Sequence, residues 1–402
     1  MTQDPTLAAP AVEPSSAPTP HPRTRRTILT TLAVLLAVAV GGGGFWGWGA
    51  AAQDRYETAT SALTAQVGEE TDARNASDAR SRNLVWLAER IRAVAATPAF
   101  AADALPEADA LREILAELEP VIEASDTAEA IRPPANDEPV SDNDHSLPWQ
   151  AMAEAERIEG LTGQSQSAED RLRASAQAAT TGRDDLDAAE AAYFTAAATR
   201  AEQTIVDNRL SNRSVQVPLI RLIEYARDPA MSSARDAVFL TSMTDAEAQV
   251  RSSEAIHQAE AHDPAWAVRR EIEAYARSLS NGIALEFIWA PEVSGLGADW
   301  LSGTAETYDS DGGWSIISLN YTIENVWYEG SDAHAVVAHE VGHTQVYREN
   351  CWPLFSGSAF SQDQEAWATA WSISQGFDEP GSGIEAYGRP TDEQIAVAGT
   401  CR

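Results

Sequence analysis

The sequence predicts an α+β protein: a long helical region, then a short sheet and one buried helix within the last 140 or so residues. Three observations carry this expectation. Apolar residues recur at helical spacing through most of the stretch from Asp54 to His262. Between Ile283 and Leu319 fall three strand-like segments: an alternating one at Ile283–Trp289, a weaker one at Thr304–Tyr308, and Trp314–Leu319, rich in β-branched and aromatic residues. The segment from Ser331 to about Tyr347 is apolar on most of its surface, as a central helix is.

At 402 residues the chain is too long for one ordinary domain. It carries 61 acidic against 28 basic residues, a formal charge of −33, and every basic residue is Arg. A polyanion of this kind is repelled by nucleic-acid backbones, which excludes nucleic-acid binding.

Residues 1–26 begin with an aperiodic Pro, Ala, Ser and Thr stretch and end in Arg23-Thr24-Arg25-Arg26, which reads as a disordered cytoplasmic tail. The uncharged run Thr27–Ala52 is long enough to span a bilayer, with Phe45, Trp46 and Trp48 near its far end. Arginines before it and acids after it place the N-terminus in the cytoplasm and the rest outside the cell membrane. A rival reading takes Thr24–Leu29 as a twin-arginine export signal with cleavage near Ala50-Ala51-Ala52.

Residues 53–262 read as a helical extracytoplasmic region. Trp86, Leu87, Ile91 and Val94 form one stripe, Leu111, Leu115, Leu118 and Val121 another. The proline-rich stretch 132–148 interrupts them as a linker or loop. Leu186, Ala189, Tyr193 and Ala197 mark a later alanine-rich helix. Such stripes are seams between helices, and nothing in them selects a protein partner, although this region could dock one.

Residues 263–402 form the mixed unit. A helix from Trp266 to Leu279 ends at Asn281-Gly282. Strands are expected at Ile283–Trp289, Thr304–Tyr308 and Trp314–Leu319, with a turn at Asp311-Gly312-Gly313 between the last two. Ser331 is the expected N-cap of the buried helix. A capping box, Ser361-Gln362-Asp363-Gln364, opens a second helix that stops at Gly376.

The buried helix carries His339-Glu340-Val341-Gly342-His343. Histidines four residues apart differ by about 40° around a helix, so both project from one face and supply half of a tetrahedral metal site. Glu340, offset by about 100°, can address a water at the metal without being a ligand. Gly342 leaves room for a backbone or a substrate. His334, His257 and His262 lack a ligand-spaced partner and read as helix-start or surface residues.

A third ligand is required. Metzincins place Gly and His three and six residues after the second histidine, where this chain has Val346 and Glu349. Glu365, in the first turns of the second helix and about twenty residues downstream, gives the arrangement of gluzincins instead. Over residues 264–402 the sequence resembles a compact gluzincin-type zinc metallopeptidase. The resemblance implies a zincin-like domain in which His339, His343 and Glu365 hold Zn2+ and Glu340 is the general base in peptide hydrolysis. Asp363 and Glu385 are the substitute ligands should Glu365 fail. It further implies that the strand Trp314–Leu319 receives the substrate as an added strand. Many members carry an acid four residues after the ligand Glu; here that position is Thr369. Tyr387 and Tyr347 are candidate donors to the reacting carbonyl oxygen.

The expected function is therefore a membrane-anchored zinc metallopeptidase acting on peptide or protein substrates outside the cytoplasmic membrane. The alternatives are a non-catalytic cell-envelope interaction protein with a structural or degenerate zinc site, and hydrolysis of a non-peptide amide. Cys351 and Cys401 fit an exported domain; bridged, they close a loop of about fifty residues, and free thiols are the other possibility.

Overall fold

The computed structural model describes residues 32–129, 147–297, 299–310 and 313–402. The described residues are 74% helical, with one three-stranded sheet among them. This overturns the expected α+β class with a membrane-spanning segment. Helix α1 runs from Leu32 to Ala95 without a break. Residues 1–31, which hold the tail and the first part of the expected span at Thr27–Ala52, lie outside the described residues. From Leu32 on, that span does not end at Ala52. It continues in the same helix into Gln53-Asp54-Arg55, where Arg55 pairs with Glu159 at 2.8 Å. Among the described residues no helix is long and apolar enough to cross a membrane. The single-pass anchor, and the cell-membrane localisation built on it, are thereby corrected.

The helices that follow are α2 (Pro106–Glu129), α3 (Pro148–Asp207), α4 (Arg213–Arg227), α5 (Ala237–His262) and α6 (Ala267–Leu279). Pro148 opens α3 at a first-turn position that needs no N–H; residues 132–146 of the proline-rich stretch lie outside the described residues.

The chain divides into two compact units. One comprises residues up to Asn75 with Glu129–Arg173; in it Ala59 and Leu63 of α1 pack on Ala155 and Ile158 of α3. The other comprises Ala76–Ala128 and Ala174–Arg402 and holds two apolar cores. Its helical core contains Leu87, Ile91, Val94, Leu111, Leu115, Leu118, Leu186, Tyr193 and Ala197, the residues the helical spacing selects. Trp86 is the exception at 57% exposed: Leu84 takes the buried place, and Trp86 carries the guanidinium of Arg90 on its face. The ion pair of Arg90 with Glu190, 2.7 Å, is almost wholly buried. Arg90 also donates to the carbonyls of Ser232 and Arg235, satisfying donors that burial would otherwise penalise.

The second core surrounds the sheet. Strands β1 (Ala284–Ala290), β2 (Gly303–Tyr308) and β3 (Trp314–Asn320) lie in the order β1-β3-β2, with β1 parallel and β2 antiparallel to β3. The expected strands are all present. The expectation that Trp314–Leu319 accepts a further strand is corrected, since β3 is central and paired on both sides. The sheet edge beside the active-helix motif is β2.

Helix α7 (Asp332–Gln345) packs against β2, β3 and α6, with nearly every side chain from Ala335 to Gly342 buried. Ser331 precedes it, but its hydroxyl turns away to Glu379 and caps nothing. Helix α8 (Gln364–Ser374) crosses α7, and α9 (Asp392–Ala398) packs on α8. The box expected from Ser361 does not form. Ser361 and Gln362 have φ of 50° and 66°, whereas an N-cap needs extended backbone; Asp363 takes the cap and accepts from Ala366 N at 3.0 Å. Cys351 and Cys401 form a disulfide, and Trp371 Nε1 donates to the Cys401 carbonyl at 3.3 Å, tying α8 to the C-terminus.

Candidate metal centre

Helix α7 presents His339 and His343 on one face, and α8 brings Glu365 opposite them. The ring nitrogens His339 Nε2 and His343 Nε2 are 3.1 Å apart; Glu365 Oε2 is 3.2 Å from the first and 3.3 Å from the second. These residues form a group able to hold a metal ion. A tetrahedral ion with ligand distances of about 2.0–2.1 Å sets neighbouring ligand atoms about 3.3 Å apart, so the three atoms span one face of such a tetrahedron. Asp363 is committed to its capping bond, and Glu385 lines the cleft without joining the group.

The close approach of α7 to α8 depends on Gly342. A Cβ there would lie 3.1 Å from the backbone of Ala368, and the Gly342 carbonyl accepts from Trp367 Nε1 at 3.1 Å. The space opened by this glycine is filled by the ligand-bearing helix.

His339 is oriented by main chain. Its Nδ1 donates to the carbonyl of Ser382 at 2.8 Å, which leaves Nε2 facing Glu365 and His343. Ser382 closes a turn, Pro380–Ser382, that is held to the start of α7: Gly381 N donates to Asp332 Oδ1 at 3.2 Å. Gly383 follows with φ 98°. A Cβ on it would fall 2.6 Å from Thr369 Oγ1 and 2.8 Å from the His339 ring. The carbonyl thus supplies what an acid at position 369 would, and Thr369 is the small buried floor under the turn. The Pro-Gly-Ser-Gly run at 380–383 is the sequence signal for this turn.

Glu340 is buried beside the His339, His343 and Glu365 group. Gly303, the first residue of β2, faces it so closely that a Cβ would lie 2.6 Å from Glu340 Cγ. Burial pushes the Glu340 carboxyl above its ordinary range, opposed by His339 and His343. Burial disfavours the charged form of His339, but the hydrogen bond it donates to Glu365 and the charges of Glu340 and Glu365 outweigh it and raise the value. For Glu365 burial acts upward, and the hydrogen bonds from both histidines reverse it, holding the carboxyl well below the usual carboxylate range.

These groups open into a cleft of about 830 Å³ walled by β2, the segment Ser294–Ser302 and the Pro380–Tyr387 segment. The Tyr387 ring lies parallel to His339, with centroids 5.9 Å apart, so the structure brings Tyr387 to the site. Tyr347 does not line the cleft. His334 stands apart, its ring stacked at 3.5 Å on Trp327 rather than at the surface. His257 bonds Asn212 and Glu260, and His262 is exposed. No known protein family, curated protein or solved structure matches the chain.

Proposed function

We propose that the chain is a zinc-dependent peptidase whose site is the His339, His343 and Glu365 group with Glu340 beside it. The two-imidazole, one-carboxylate donor set is one that zinc uses in catalytic centres. When bound there, zinc supplies Lewis acidity to a substrate carbonyl and a water that gives up its proton near neutral pH. The observation that carries the reading is Glu340: a buried carboxylate outside the ligand set, on the cleft wall, for which a purely structural metal site has no use.

Each side chain then has a task. The Ser382 carbonyl holds the His339 ring by Nδ1, which leaves Nε2 as the atom that would hold a bound ion. Glu340 takes a proton from the attacking water and delivers it to the leaving amine nitrogen; its raised carboxyl suits a group that must both accept and return a proton. Tyr387, on the cleft wall, offers its hydroxyl to the oxygen that gains charge. The edge strand β2, beginning at Gly303 against Glu340, receives an extended peptide by strand addition.

The test is Glu340→Gln in the full chain. It retains one equivalent of zinc by metal analysis and loses cleavage of a proteome-derived peptide library that the unaltered chain cleaves. Undiminished cleavage by the variant overturns the reading, as does a purified chain that takes up no zinc.

A further inference from the structure

On the β1 side of the sheet lies a second cleft, about 810 Å³, that shares no lining residue with the metal cleft. It is walled by the loop Arg209–Asn212, the first turn of α4, one face of α6 and the start of β1. Arg209, Arg213, Arg270 and Arg277 all line it. In a chain with 28 arginines, no lysine and 61 acids, four guanidiniums in one cleft is a concentration of positive charge that the rest of the composition opposes.

The cleft's three carboxylates, Glu260, Glu273 and Glu286, offset part of this charge, and Glu273 pairs with Arg277, but Arg209 and Arg270 keep theirs. Glu286 accepts from Ser214 N at 2.5 Å, and Glu260 meets His257 Nδ1 at 2.9 Å. Glu273 accepts from Trp289 Nε1 at 3.1 Å and pairs with Arg277 at 3.2 Å. Arg209 and Arg270 bond only main-chain carbonyls: Arg209 that of Val206, Arg270 those of Glu260 and Asp263. Their charge has no carboxylate partner among the described residues.

We propose that this cleft is a binding site for a ligand carrying two or more anionic oxygen groups, carboxylate or phosphate. A guanidinium fork pairs with either in bidentate geometry, and the cleft has the volume of a small-ligand site rather than of a single ion. The site is independent of the metal centre and of any peptidase activity.

Calorimetric titration of the full chain at low salt with hexaglutamate, and separately with tripolyphosphate, tests this. At least one probe binds, more weakly as salt rises; binding of hexaglutamate alone assigns carboxylates and of tripolyphosphate alone assigns phosphates. Arg209→Glu weakens binding at least tenfold. Among the described residues it bonds only the Val206 carbonyl, so the fold is retained, as circular dichroism checks. Arg82→Glu, the same charge change at an exposed arginine outside the cleft, leaves binding within twofold. Binding of neither probe overturns the proposal, and so does equal weakening by both variants.

Discussion

The carbonyl of Ser382 accepts a hydrogen bond from His339 Nδ1 at 2.8 Å, although the two residues lie 43 positions apart. That bond holds only while Gly383 keeps its φ of 98°, in a place where a Cβ would meet both Thr369 and the His339 ring. Gly383→Ala therefore displaces the turn and frees the imidazole to rotate. Loss of such support to a ligand costs 10–100-fold in metal affinity. Competition for zinc against a chelator of known affinity measures it, and an unchanged dissociation constant would show that His339 is oriented by something else.

The β2 edge, proposed above to receive a peptide, makes a second expectation. Asn320 N donates to Ser302 O at 3.0 Å, and this pair alternates in register with Gly303↔Leu319, Thr304↔Ser318 and Ala305↔Ile317. In an antiparallel ladder every second residue turns its N–H and C=O away from its partner, which leaves those of Ala305 facing the free edge. Ala305→Pro removes one outward donor and keeps the ladder to β3, as edge strands tolerate. KM for an extended peptide should rise about five- to tenfold, the loss of roughly one hydrogen bond of about 1 kcal/mol with some ordering of the edge. Zinc content and melting temperature should be unchanged, and an unaltered KM would remove β2 from substrate binding.

The two histidines of the group able to hold a metal ion were legible because their spacing is local. His339 and His343 are four apart on one helix, so helical geometry aligns them, whereas Glu365, on a separate helix, was reached only through the resemblance to the gluzincin arrangement. The sheet's three strands were legible from β-branched and aromatic content, but strand order was not. Parallel pairing of β1 with β3 is set by packing of α6 and α7 on the sheet, which no period within a strand encodes. The support of His339 was hidden for a different reason: its partner is a main-chain carbonyl, which every residue carries, and only the glycines at 381 and 383 hint that the chain turns there. The expected anchor failed because an apolar run was read without its continuation. A helix that proceeds unbroken to Ala95 through charged residues is not delimited at Ala52.

His334 yields a pH dependence away from the ligands. Its ring is stacked on Trp327 and edge-on to Tyr275, and burial pulls its pKa below the ordinary value, against the Gly330 backbone and the charges of Glu271 and Glu379. The folded state thus binds this proton less readily than the unfolded chain. The stability it contributes is present above the unfolded pKa, about 6.5, and is lost as pH falls through the folded one. His334→Phe keeps the stacking and has no proton to take up. Its melting temperature should gain on that of the unaltered chain as pH drops from 7 to 5, and parallel pH profiles would show that His334 is not the group responsible.

The disulfide fixes α8, and with it Glu365, from the far end. Its 50-residue separation corresponds to roughly 4 kcal/mol of lost unfolded-state entropy. Inside that loop Trp371 reaches the Cys401 carbonyl, and Ser374 packs under Gly399, where a Cβ would come within 3.1 Å. Replacing both cysteines by Ala therefore acts at two levels. Denaturant unfolding of the unit should lose about 3–4 kcal/mol. Zinc affinity should fall by less than tenfold, because Asp363 still caps α8 and Gly342 still seats it against α7. Loss of zinc binding in a variant that still unfolds cooperatively would mean that the bridge, rather than the α7–α8 contact, holds Glu365 in place.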